Sequence, residues 1–191
     1  MSVTLTPPEV AASTRAMLIE ELEHTEEIAE IINGKVVLMG LGTFQHGRAS
    51  GTIYFSLKLH EKQHDGGYAF GDANVFLVDL PDRYSFCPDA AWRKVIHLHN
   101  NKFVDGAPDF AVEVRSAGHY SPSGGLKVLE KIKEYFAAGT QVVWDVDLLR
   151  EGLIKKYTPE TLDNPHVFKR GEIADAEPAV PGWRMAVDEL F

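Results

Sequence analysis

An α/β (α+β) domain built on a mixed sheet is the fold class that the sequence predicts, and three observations point to it. Helical and strand patterns alternate in the order helix, hairpin, helix, strands, helix, strands, as in layered folds with helices against a sheet. Residues 109–116, Asp-Phe-Ala-Val-Glu-Val-Arg-Ser, alternate as a strand does, with Phe110, Val112 and Val114 on one face and Asp109, Ala111, Glu113 and Arg115 on the other. A helical stretch at 126–138 then leads to a second strand at 141–147, so the two strands can pair in parallel through one right-handed crossover.

The elements follow in order. Residues 8–24 read as a helix: Pro7 and Pro8 suit its first turn, and Val10, Met17, Leu18 and Leu22 recur at helical spacing. Residues 29–39 read as a hairpin turning at Asn33-Gly34, a dipeptide that tolerates positive φ. Residues 44–64 form the next helix, with Ile53, Tyr54, Leu57 and Leu59 toward the core and His46, Arg48 and His60 as polar positions, ended by Asp65-Gly66-Gly67. Short strands are expected at 68–72 and 74–78, a polar loop at 80–87, and a strand at 88–93 with Asp89 near its start. Residues 97–105 read as a loop or frayed strand end, and 119–125, rich in Ser, Pro and Gly, as a loop. In the helix at 126–138, Leu129, Ile132 and Phe136 share a side, and Gly139 ends it. Strands follow at 141–147 and 153–158, and the aromatic tail 181–191 is expected to dock.

With 191 residues, 45% apolar and 25% charged, the chain suits one domain over 1–191 with a sizeable core. It has no apolar run of membrane-spanning length and no basic-then-apolar leader, so a cytoplasmic protein is expected. The single Cys87 excludes an internal disulfide and a cysteine zinc cluster. Nineteen Lys and Arg against 28 Asp and Glu leave a formal charge of −9, which argues against broad attraction to nucleic acid or anionic membrane. A nuclease whose site becomes locally cationic once metal is bound stays compatible with that charge.

The charged face of 109–116 is unusual, because charges on a buried strand are costly unless paired or metal-bound. Asp89 and Glu113, carboxylates on two neighbouring strands, can hold a hard cation such as Mg²⁺, and Lys131 can position water or stabilise a phosphoryl transition state. That set fits phosphodiester hydrolysis. The same residues also fit a structural ion-pair network of Asp109, Glu113, Arg115 and Lys131. His46 fits either site lining or a helix start. His97 and His99 share a strand face and are more simply exposed residues than metal ligands. Asp145 and Asp147 suit a strand-end cap or salt bridge, Gly124-Gly125 lacks any Walker pattern, and Trp92, Trp144 and Trp183 read as core.

Gly-Ala-Pro-Asp-Phe-Ala-Val-Glu-Val-Arg-Ser at 106–116 resembles the G-x-P-D-(L)-x-V-E-V-x-S block of the Uma2 family, restriction-endonuclease-like proteins of the PD-(D/E)xK nuclease superfamily. Further blocks agree in order: Glu-Ile-Ile-Asn-Gly-Lys-Val-Val at 30–37, His46 opening the second helix, Pro88-Asp89, Lys131 with Tyr135, Ala138-Gly139 with Trp144-Asp-Val-Asp147, and the Pro-Gly-Trp-Arg-Met-Ala-Val-Asp-Glu-Leu-Phe ending at 181–191. The resemblance implies a restriction-endonuclease-like mixed central sheet flanked by helices. It implies Asp89 and Glu113 as ligands of Mg²⁺ (or Mn²⁺), Lys131 as the catalytic lysine, and DNA as substrate. Glu30, His46, Asp109 and Arg115 are implied as supporting residues. Arg115 stands where the superfamily usually has its lysine and stays protonated, so the lysine's part passes to Lys131 on the following helix. Asn33 replaces the usual Asp of the hairpin, Ala29 a Tyr, and Leu148 stands where Pro is common. Cutting two strands calls for two sites, so a homodimer is expected. The alternative is a catalytically inactive nuclease-fold protein used for binding or assembly, which the −9 charge and Arg115 favour; a metal-dependent hydrolase of another substrate is a further rival.

Overall fold

The computed structural model describes residues 7–40 and 42–191. The side chains of residues 7–13 lie outside that description, and with them the expected contribution of Val10. Helix α1 (Pro7–Glu23) precedes the hairpin β1 (Ala29–Ile32) and β2 (Lys35–Leu38). Helix α2 (Phe44–Gln63) follows, then β3 (Tyr68–Phe70), β4 (Phe76–Leu77), β5 (Ser85–Phe86), β6 (Ala90–Arg93), β7 (Leu98–His99), β8 (Phe103–Asp105) and β9 (Phe110–Val114). Helix α3 (Pro122–Ala137) leads to β10 (Val142–Asp147), β11 (Leu153–Tyr157), β12 (His166–Lys169), β13 (Ile173–Asp175) and β14 (Arg184–Ala186). Among the described residues no helix is long and apolar enough to cross a membrane.

The main sheet has six strands in the order β12-β11-β10-β9-β6-β3 and is mixed. β9 and β10 pair in parallel, Phe110 opposite Val142 and Glu113 opposite Asp145, with α3 as the crossover between them. β6 runs antiparallel to β9, Ala90 opposite Val112. The alternation of β9 sorts its faces as its period demands. Phe110, Val112 and Val114 pack with Ala49, Ile53 and Leu57 of α2 and with Trp144 and Trp183, whereas Ala111 packs with Val128, Ile132 and Tyr135 of α3. Glu113 therefore points to the α3 side. All three tryptophans are core, and the C-terminal segment docks through Trp183, Met185, Val187 and Leu190.

Several expectations are corrected. Met17 is 67% and Leu59 41% exposed, while Leu18, Ile19, Leu22, Ile53 and Leu57 carry the buried faces of their helices. The strand at 74–78 shrinks to Phe76–Leu77 and sits in a separate four-stranded sheet, β5-β4-β8-β7. The stretches 80–87 and 97–105 are not plain loops: the first holds β5, and the second is the hairpin β7-β8, turned by Asn100 (φ 50°) and Asn101 (φ 56°). β12, β13 and β14 are short strands without a clear alternating signal. The 119–125 loop is a 3-10 turn (Ala117–Tyr120) followed by the first turn of α3, where Ser121 accepts from the Gly124 N–H at 3.0 Å and Pro122 fills the first helical position.

Gly124 is read better as a packing necessity than as a breaker: a Cβ there would lie 2.2 Å from the Gly118 carbonyl oxygen, whereas one on Gly125 would meet nothing within 4 Å. Gly124→Ala is expected to lower stability by about 1–3 kcal/mol. Gly125→Ala is expected to be neutral or to stabilise by up to about 1 kcal/mol, since Ala favours the helix. Thermal unfolding of the two variants checks this, and equal losses would contradict it.

Candidate active site

Asp89 sits at the edge of β6, where two backbone bonds pin it against β9. Its N–H donates to the Val112 carbonyl (3.0 Å), and its Oδ2 accepts from the Val114 N–H (2.6 Å). One step beyond the Ala90–Val112 pair, Asp89 is thereby level with Glu113. His46 approaches from the first turn of α2, which Thr43 caps by accepting from the His46 N–H (3.3 Å). Its Nε2 lies 3.1 Å from Asp89 Oδ1. The hydrogen bond to Asp89 raises the His46 pKa; burial opposes this, and the charges of Asp89, Asp72 and Glu113 add to it.

Glu113 is held from the α3 side. Lys131 Nζ lies 2.8 Å from its Oε1 and 2.9 Å from its Oε2, and the Tyr135 hydroxyl donates to Oε1 at 2.7 Å. Lys131 and Tyr135, four residues apart, share one helix face and so meet the same carboxylate. Tyr135 stacks on Phe86 with ring centroids 4.0 Å apart, which fixes its hydroxyl. Lys131 Nζ also lies 2.9 Å from Glu30 Oε1. Glu30 is 1% exposed; its Oε1 accepts from the Cys87 N–H (2.9 Å) and its Oε2 from Arg83, whose Nε in turn reaches Glu134 (2.7 Å).

Four carboxylates, Asp89, Glu113, Glu30 and Glu134, therefore face two permanent cations, Lys131 and Arg83, with His46 as a third only when protonated. Electrostatics distributes that imbalance unevenly. Burial would raise Glu30, but Lys131 and Arg83 hold it below its usual range. Glu113 carries the deficit: burial pushes it up to about 7, Lys131 works against this, and Asp89 and Glu30 add to it. Burial would lower Lys131, yet Glu113 and Glu30 hold its pKa above that of a free lysine.

The donor set fits a hard divalent cation. Two carboxylates on adjacent strands, in a cluster short of positive charge, match the one or two carboxylates plus waters that Mg²⁺ takes. They form an open pair: among the described residues no group of three or more His, Cys, Asp and Glu side chains is arranged to hold a metal ion.

The structure thus brings Asp89, Glu113, Lys131, Glu30 and His46 together and leaves two candidates apart. Arg115 forks onto Asp145 (2.7 and 2.6 Å) and lies 4.0 Å from Asp147, so its charge is spent on β10. Asp109, at the other end of β9, accepts from the Lys94 N–H (2.7 Å) and Gln141 Nε2 (3.1 Å) and ties three strands together. Asp147 accepts from Tyr120 and from the Leu149 and Arg150 N–H groups, the strand-end cap expected of it. His97 is exposed, and His99 Nδ1 lies 3.8 Å from Asp105. Arg83 and Glu134 join the site without having been singled out, and Tyr135, read only within a family block, joins it through its hydroxyl. His119 lies nearby, its Nδ1 accepting from the Ser116 N–H at 3.2 Å.

The pKa shifts have a consequence for stability. Glu113 and His46 both titrate higher in the folded protein than when free. Each therefore contributes stability that is present below its unfolded pKa and lost as pH rises through the folded one. Metal-free protein is expected to lose stability between pH 4.5 and about 7 through Glu113. Melting temperatures in chelator should fall less steeply over that window in Glu113→Gln than in the wild type, and identical slopes would contradict the assignment.

A family model described as "Uma2: Putative restriction endonuclease" matches residues 16–188. Among solved structures, a crystal structure of "a putative nuclease belonging to DUF820" from Anabaena variabilis superposes with a TM-score of 0.72 at 21% sequence identity, covering 91% of this chain and 96% of that one. At that identity the likeness concerns the fold. No curated protein matches the chain.

Proposed function

Since the chain belongs to the Uma2 family, we propose that it is a divalent-metal-dependent endonuclease that hydrolyses DNA phosphodiester bonds. The observation that carries this reading is that Asp89 and Glu113 stand level across β6 and β9, close enough for the Asp89 charge to raise the Glu113 pKa, in a cluster short of positive charge. These two side chains would hold Mg²⁺ or Mn²⁺, which when bound supplies Lewis-acid polarisation and neutralises charge on the phosphate. His46 and the Val114 N–H fix the Asp89 carboxylate, and Tyr135 fixes that of Glu113. Lys131 stays protonated between Glu113 and Glu30, so its Nζ acts as a hydrogen-bond donor that orients water or steadies charge on a phosphate oxygen, and does not act as a base.

The test is incubation with plasmid, linear duplex and single-stranded DNA in Mg²⁺ or Mn²⁺ beside Asp89→Asn and Lys131→Ala. Each variant is expected to lose roughly 100-fold or more in cleavage rate. Undiminished cleavage in both would overturn the site. The second reading, a nuclease-fold protein that binds without cutting, draws on one observation: Lys131 Nζ is already held by two carboxylates. Metal binding with no cleavage of any DNA form would favour it.

A further inference from the structure

We propose that the outer face of α2 is a track that holds single-stranded nucleic acid beside the Asp89–Glu113 site; this rests on the nuclease reading and names the form of substrate it takes. Phe44 is 79%, Phe55 62% and Leu59 41% exposed, large apolar side chains left open to water on one helix. With exposed Arg48 and Lys62 they recur at i, i+4, i+11, i+15 and i+18, which at ~100° per residue puts all five within an arc of about 60°. That arc lies opposite the buried stripe of Ala49, Ile53 and Leu57, so its exposure is built into the helix. From Phe44 to Lys62 the stripe runs about 27 Å.

Charge complementarity selects a polyanion. The chain carries 28 acids against 19 Lys and Arg, yet α2 has only Glu61, set against Arg48, Lys58 and Lys62. Glu61 is occupied: it pairs with Lys58 and accepts from the Ala69 N–H at 2.7 Å. The stripe itself holds no acid. Its first residues lie within one turn of His46, which reaches Asp89 from the opposite, inward side of the same helix, so the stripe begins at the end of α2 that borders the site. Arg48 lies over the Phe44 ring at 5.9 Å, a pairing of the two side-chain types on which bases stack. A duplex buries the faces of its bases and presents two rows of phosphate that an acidic chain is poorly suited to neutralise; a single strand leaves those faces open. A second copy docked two-fold through the same stripe would set Arg48 and Lys62 against like cations with no acid to offset them.

The test is fluorescence anisotropy in chelator, where nothing is cut, with a fluorescein-labelled DNA oligonucleotide of about 20 nucleotides, longer than common single-strand sites, and with its duplex. The single strand is expected to bind more tightly. The Phe44→Ala/Phe55→Ala variant should melt as the wild type does, because both rings are exposed, and bind the single strand on the order of tenfold or more weakly. Arg48→Glu/Lys62→Glu should lose binding and flatten its salt dependence. No preference for the single strand, unchanged binding in the aromatic variant, or a dimer that this variant splits into monomers would overturn the track. Binding that depends on the stripe without cleavage leaves the track standing and the nuclease reading fallen; cleavage with binding indifferent to the stripe does the reverse.

Discussion

Glu113→Gln is expected to abolish Mn²⁺ binding measured by calorimetry and to lower DNA cleavage by about 100-fold or more, with the fold retained. Gln keeps the volume and an acceptor for Tyr135 and Lys131, which reach Glu113 at 2.7 to 2.9 Å, and removes the charge alone. That charge is the one the cluster accommodates worst, since burial, Asp89 and Glu30 all oppose it. At pH 8 in chelator, above the elevated Glu113 pKa, the variant is therefore expected to melt at or above the wild-type temperature. Loss of cleavage accompanied by a marked fall in melting temperature would mean that Glu113 serves chiefly as an ion-pair strut, and unchanged Mn²⁺ binding would remove it from the ligand set.

The largest loss of stability is expected at Glu30. Glu30→Ala strips the shared partner from Lys131 and Arg83, whose side chains are 18% and 6% exposed. Breaking a buried pair on one side costs about 3–5 kcal/mol, because each remaining cation stays desolvated with one carboxylate in place of two, Glu113 for Lys131 and Glu134 for Arg83. At this chain length that corresponds to a fall of roughly 6–20 °C in melting temperature. Adding Arg83→Met to Glu30→Ala removes one of the two under-compensated cations, so the double variant is expected to lose less than the sum of the single losses. Additive losses, read by calorimetry, would show that Glu30 and Arg83 do not act together.

Glu113 was legible in the sequence because a strand of period two placed a carboxylate where only a core residue belongs, and Lys131 because it stands at a family spacing on the next helix. The Asn33-Gly34 turn was legible from local chemistry alone, with φ 51° and 69° in the structure. Arg83 was not. It precedes a two-residue strand too short to show a period, and its partners Glu30 and Glu134 lie 53 and 51 residues away. Tyr135 sits in the apolar stripe of α3, where a hydrophobic pattern reads its ring and passes over its hydroxyl. Asp109 shares a face and a strand with Glu113 yet joins no site, because backbone and amide donors at the start of β9 claim it first. Alternation decides which face a carboxylate takes; what meets it there is set by long-range packing.

The most direct measurement is an anomalous difference map from crystals soaked in Mn²⁺. A peak coordinated by both the Asp89 and Glu113 carboxylates is the expected result, and it should vanish in Glu113→Gln. A map with no peak there at saturating Mn²⁺, or a peak held by other side chains, would contradict the metal centre on which the proposed hydrolysis depends.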